Sequence, residues 1–87
     1  MALTDEFQAA AAASQALTRR PSNEELLELY ALFKQATEGD VSGDRPGGFD
    51  FKAIAKYDAW AERKGLSKDQ AMQNYVQLVS KLKEQYS

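Results

Sequence analysis

The sequence predicts an all-α fold, a small four-helix bundle. Three observations carry this reading. Apolar residues recur at three- and four-residue steps in separate stretches, Ser or Asp caps and Gly stops delimit most of those stretches, and no run shows the two-residue alternation of a strand. The 87 residues make one domain, 1–87. A chain this short buries only about 60% of the surface its unfolded form exposes, so its core must be economical.

The first helix is expected over residues 5–17, with Thr4 as its N-cap and with Asp5 and Glu6 in the first turn, where they suit the helix dipole. Its inner face would hold Leu3, Phe7, Ala10, Ala11, Ser14 and Leu17. Alanines keep that face flat, so a neighbouring backbone or a ligand can come close; high helix propensity alone also accounts for them. Arg19, Arg20 and Pro21 then break the pattern.

Ser22 opens the second helix with a capping box, since Glu25 follows three residues on, and the helix runs to about Glu38 before Gly39 stops it. Leu26, Leu27, Leu29, Tyr30, Leu32 and Phe33 cover more than one stripe, which is more than a helix packed on a single side requires. Part of that surplus is expected to face a partner or a ligand.

Residues 39–49, GDVSGDRPGGF, carry four Gly and one Pro and read as an ordered loop. Asp40, Ser42 and Asp44 alternate as the first ligands of a calcium loop do. The pattern then fails, because the sixth position, where such a loop needs Gly, is Arg45, and the twelfth, where it needs Glu, is Phe51. Asp50 caps a third helix over residues 51–64, with Gly65 in the C-terminal stop position. Ser67 and Gln70 read as a second capping box, and the fourth helix extends to about Tyr86, with Met72, Tyr75, Val76, Val79, Leu82 and Tyr86 along one buried stripe.

Composition restricts the chemistry. The chain has no His and no Cys, so it lacks both the commonest general base near neutral pH and the strongest side-chain nucleophile, and no thiolate metal site exists. Its thirteen acids are spread evenly enough to read as solvated helix surface. The net charge of −2 argues against a nucleic-acid partner. No segment approaches the roughly 20 apolar residues of a membrane span, and no secretion signal is expected, so a cytoplasmic location without stable membrane insertion follows. The expectation is a protein that binds rather than catalyses, with no cofactor and no metal.

Two pairs at helical spacing suggest what is bound. Tyr30 and Lys34 are four residues apart on the second helix with Phe33 beside them, and Lys52 and Lys56 have the same spacing on the third. Two helices then each offer an ammonium to one anion, tyrosine hydroxyls add donors, and an aromatic ring is available to stack on a base. Lysine on a helix surface is more often a solvated charge. The apolar surplus on the same helix is what favours binding.

At these residues the chain closely resembles the acyl-CoA-binding protein family, also called diazepam-binding inhibitor. The similar stretches are LYALFKQATEGD at 29–40, RPGGFDFKAIAKYDAW at 45–60 and KGLSKDQAMQNYV at 64–76. The resemblance implies an up-down-down-up bundle holding one medium- to long-chain fatty acyl-CoA ester. It places Tyr30, Lys34, Lys56 and Tyr75 against the CoA moiety, with Lys52 nearby. It places Leu26, Leu27 and Ala55 along the acyl groove, and Trp60 in the core. Phe33 stands where the family commonly has tyrosine, Gln15 where many members have lysine, and Tyr57 where tryptophan is usual. Phe33 can still stack on an adenine, although a hydroxyl contact is lost.

The resemblance further implies a monomeric carrier that buffers acyl-CoA and makes transient contact with the enzymes that use it. The competing readings are a module whose second helix docks a partner helix, and, more remotely, a thioesterase.

Overall fold

The structure is a computed structural model and describes residues 2–86. Helices α1 (Leu3–Ser14), α2 (Asn23–Glu38), α3 (Phe51–Ala61) and α4 (Lys68–Tyr86) follow one another, and the described residues contain no strand. The caps explain most of the boundaries. Ser22 accepts from the Glu25 N–H at 3.2 Å while Glu25 Oε1 accepts from the Ser22 N–H at 2.9 Å, a complete capping box at the start of α2. The Asp50 carboxylate accepts from the Ala53 N–H at the start of α3.

Three boundaries differ from the sequence reading. Helix α1 begins at Leu3, so Thr4 lies inside it, and Ala2 occupies the N-cap without a side-chain bond. The helix stops at Ser14, whose hydroxyl turns back to the Ala11 carbonyl at 2.8 Å and competes with the backbone ladder. Helix α3 stops at Ala61 rather than running to Lys64. The Arg63 and Lys64 N–H groups reach back only three residues, and Gly65 adopts φ 94° in a region closed to most side chains. Before α4, Ser67 accepts from the Gln70 N–H, but the Gln70 side chain donates to Asn74 Oδ1, so only half of the expected capping box forms.

Helix α4 is the spine on which α1 and α2 pack, while α3 packs on α2. Contacts at the helix ends set the directions. Thr18 and Arg19 bond to carbonyls at the end of α4, so α1 and α4 run parallel. Tyr86 donates to Glu25 at one end of α2 and Gln35 donates to the Leu66 carbonyl at the other, so α2 and α4 run antiparallel. Trp60, near the end of α3, donates to the carbonyl of Gly39, the C-cap of α2, which makes those two helices parallel. The result is the up-down-down-up order that the resemblance implies.

The core joins Phe7 and Ala10 of α1, Leu29, Leu32 and Ala36 of α2, and Ala71, Tyr75, Val79 and Leu82 of α4. Ser14, Leu3 and Leu17 are only half buried, so the inner face of α1 centres on Phe7 and Ala10. The 39–50 connection is an ordered loop, as expected. Arg45 grips Asp58 through two bonds of 2.8 and 2.9 Å, and Tyr57 donates to the Gly43 carbonyl. The Asp40 carboxylate accepts from the Gly65 N–H and from the fully buried Gln35 amide, tying the loop to both α2 and the α3–α4 turn.

Leu82 is fully buried in α4. Leu82→Ala is expected to destabilise the fold by about 2–5 kcal/mol, read as a lower urea midpoint with unchanged m-value. The Gly65 N–H, and after it Gln35, hold the Asp40 carboxyl below its ordinary range. A depressed carboxylate stabilises the fold above its unfolded pKa, and that contribution is lost as pH falls through the lower folded value. Melting temperature is therefore expected to drop below about pH 4, and less steeply in Asp40→Asn.

Candidate functional site

The two apolar stripes of α2 have two destinations. Leu29, Leu32 and Ala36 join the core with α1 and α4, while Leu27 and Tyr30 line the space beside α3, and Leu26 serves both. Trp60 is buried and bonded to Gly39, which brings the C-terminal ends of α2 and α3 together. Towards their N-terminal ends the residues of α3 are only partly covered or exposed, and a cavity of about 600 Å³ lies there. Leu26, Leu27, Tyr30, Phe51, Lys52, Ala55 and Lys56 line it, with Arg20 and Asn23 at the α2 N-terminal end.

A smaller recess of about 230 Å³ shares Tyr30 as a wall and is completed by Ala11, Gln15, Leu29, Phe33 and Tyr75. Its aromatic side is a cluster. Phe7 stacks on Phe33 at 5.5 Å between centroids and meets Tyr75 edge-on at 5.0 Å. Phe33 is 39% exposed, so its ring is available to a ligand, whereas Tyr75 is buried with its hydroxyl 3.3 Å from Ser14 Oγ.

Most of the site residues read from the sequence meet here. Leu26, Leu27, Lys52, Ala55 and Lys56 share the cavity, Gln15, Phe33 and Tyr75 share the recess, and Tyr30 joins the two. The Lys56 ammonium lies over the Tyr30 ring at 5.3 Å, a cation–π contact that fixes a positive charge at the junction. Lys34 lines neither space. It pairs with Glu38 one turn further on, its ammonium lies 4.9 Å over the Trp60 ring, and Glu38 holds its pKa above the ordinary lysine value. The Lys34/Glu38 spacing was a signal in the sequence for this pair. Arg20, Asn23 and Phe51 were missed as lining residues, because they precede or open a helix and belong to no face pattern.

Electrostatically the cavity is an apolar floor with a cationic margin. Among the described residues no carboxylate is ion-paired with Arg20, Lys52 or Lys56. No group of His, Cys, Asp or Glu among the described residues is arranged to hold a metal. Among the described residues no helix is long and apolar enough to cross a membrane. The arrangement suits a ligand with one anionic end and one apolar end, which defines a small helical bundle that binds amphipathic anions.

The comparisons agree with that class. Residues 4–79 match the family model described as acyl CoA binding protein. The chain is 54% identical over 84 residues to acyl-CoA-binding protein homolog 1 of Caenorhabditis elegans, covering 97% of this chain and 98% of that one. It is 45% identical over 85 residues to the acyl-CoA-binding protein homolog of Drosophila melanogaster, covering 98% and 99%. The crystal structure of Oryza sativa acyl-CoA-binding protein 2 superposes with a TM-score of 0.92 at 43% identity, covering 97% of this chain and 93% of that one. The chain belongs to the acyl-CoA-binding protein family.

Replacing Glu38 by Gln removes the carboxylate beside Lys34. The Lys34 pKa is then expected to fall towards the ordinary lysine value, a change read from the pH dependence of its side-chain carbon resonances.

Proposed function

We propose that this chain binds a medium- to long-chain fatty acyl-CoA ester and carries it without reacting with it. The observation that supports this best is the α2–α3 cavity, whose apolar floor of Leu26, Leu27 and Ala55 ends beside Lys56 and Tyr30 in a chain of this family. Here the acyl chain lies in the cavity and the CoA phosphates lie at Lys56, with Lys52 nearby. The adenine rests on the exposed Phe33 ring in the neighbouring recess, where Tyr75 backs it and Gln15 offers an amide in place of a cation. Lys34 joins the phosphate site by leaving Glu38 for a stronger anion.

Magnitudes assign the roles. Charge-assisted hydrogen bonds to phosphate contribute roughly 1.5–3 kcal/mol each and set orientation. Burial contributes about 0.8 kcal/mol per methylene, so ten methylenes give on the order of 8 kcal/mol before the costs of association. Chain burial therefore dominates affinity.

The protein acts in this reading as a cytoplasmic monomer, needs no cofactor, and passes its cargo to enzymes in transient encounters. Without His or Cys it has no strong nucleophile to turn on the thioester it holds, so it is a carrier and not an enzyme.

Calorimetry with hexadecanoyl-CoA, free CoA and hexadecanoate tests the proposal. The ester is expected to bind far more tightly than either fragment, and equal affinity for free CoA and the ester would overturn it. Lys56→Ala is expected to weaken ester binding roughly ten-fold or more while the helical circular dichroism stays unchanged. Loss of the fold in that variant would make Lys56 structural.

A further inference from the structure

Two aromatic rings stand out into solvent at the start of α3, Phe49 outside the cavity lining and Phe51 at its edge. Phe49 is 91% exposed and Phe51 is 70% exposed, and they meet edge-on at 6.3 Å between centroids. Exposing two adjacent phenyl rings to water is unfavourable, since an aromatic side chain buries some 150–250 Å² where it is covered. Local structure nevertheless holds them out. The Phe51 N–H bonds the Phe49 carbonyl in a tight turn at the mouth of α3, and Gly47 and Gly48, just before it, offer no side chain to cover the rings.

The charged residues that line the cavity beside Phe51 have one sign. Phe51 lines the α2–α3 cavity together with the cations Arg20, Lys52 and Lys56. The acid between the two rings, Asp50, is turned to the α3 N-terminus as its cap, and the nearby Asp58 is neutralised by Arg45. On a chain of net charge −2, this is a local cationic margin around a protruding aromatic tip.

We propose that Phe49 and Phe51, flanked by Arg20 and Lys52, dock the protein on the surface of an anionic lipid bilayer. Phenyl rings enter the boundary between headgroups and acyl chains, while long basic side chains reach the lipid phosphates and carboxylates. The geometry disfavours a second copy as the occupant. A two-fold contact through this patch would bring its cationic margin against the cationic margin of the second copy. The attachment is peripheral and reversible, since two rings and a few cations are far less than a spanning helix supplies. Docked in this way, the mouth of the cavity faces the lipid. Delivery or uptake of cargo there rests on the acyl-CoA reading, whereas the docking itself does not.

The test is co-sedimentation of the full chain with vesicles of phosphatidylserine and phosphatidylcholine, beside vesicles of phosphatidylcholine alone. Binding is expected only to the anionic vesicles and is expected to weaken with salt. Phe49→Ser, which lies outside the cavity lining, is expected to lower that binding roughly five-fold or more while leaving helical circular dichroism and vesicle-free affinity for hexadecanoyl-CoA unchanged. Arg20→Gln is expected to lower vesicle binding by roughly five-fold, about one cation's contribution. Absence of binding to the anionic vesicles, or equal binding by Phe49→Ser, overturns the proposal. So does a dimer, seen by sedimentation without lipid, that Phe49→Ser dissolves, because the patch would then belong to a second copy. Vesicle docking without hexadecanoyl-CoA binding would overturn the carrier reading and leave the docking surface standing.

Discussion

Helix α2 carries more apolar surface than one neighbour can cover, and the rest of the molecule is arranged around that excess. Leu29, Leu32 and Ala36 require a partner on one side, which α4 provides with Ala71, Tyr75, Val79 and Leu82. Leu27 and Tyr30 line the space towards α3, and Leu26 reaches both that space and the core. Had α3 packed tightly along its whole length, that second stripe would have become ordinary core. Of the α3 residues only Trp60, near the C-terminal end, is buried, so the stripe remains partly open as a cavity.

The two helices are fastened at their C-terminal ends. Trp60 donates to the Gly39 carbonyl, and Gln35 donates both to Asp40 and to the Leu66 carbonyl. These bonds gather the end of α2, the start of the long loop and the turn before α4 into one polar knot. Gln35 is fully buried, and these two bonds satisfy its amide N–H groups while its carbonyl oxygen has no partner among the described residues. The loop from 39 to 50 thus serves as the strap that lets two parallel helices share a fastened end and an open end.

Charge follows the same division. The acid-bearing pairs Lys34/Glu38 and Arg45/Asp58 are closed on themselves, whereas Arg20, Lys52 and Lys56 surround the cavity without a carboxylate partner among the described residues. Exposed ion pairs contribute little to stability. Their larger effect here is on which cations remain for an anion. Lys34 is the informative case, because it stays near the site while being held by Glu38 and Trp60.

Short-range patterns determined the helix count, the caps at Ser22 and Asp50, and the face of α4, because caps and periodicity act over three or four residues. Local sequence also carried Tyr30, Lys52 and Lys56 as candidates, and the family resemblance added Leu26, Leu27, Ala55, Gln15 and Tyr75. Only the tertiary structure decided which of these meet. It joined the cavity to the aromatic recess through Tyr30, brought Arg20 and Asn23 to the cavity's end, and turned Lys34 away towards Glu38. It also placed the Asp40 carboxylate on the Gly65 N–H just past the end of α3. The physical reason is range. A spacing along one helix fixes the direction in which a side chain leaves the backbone, but what it meets depends on where another helix, fastened many residues away, has come to rest.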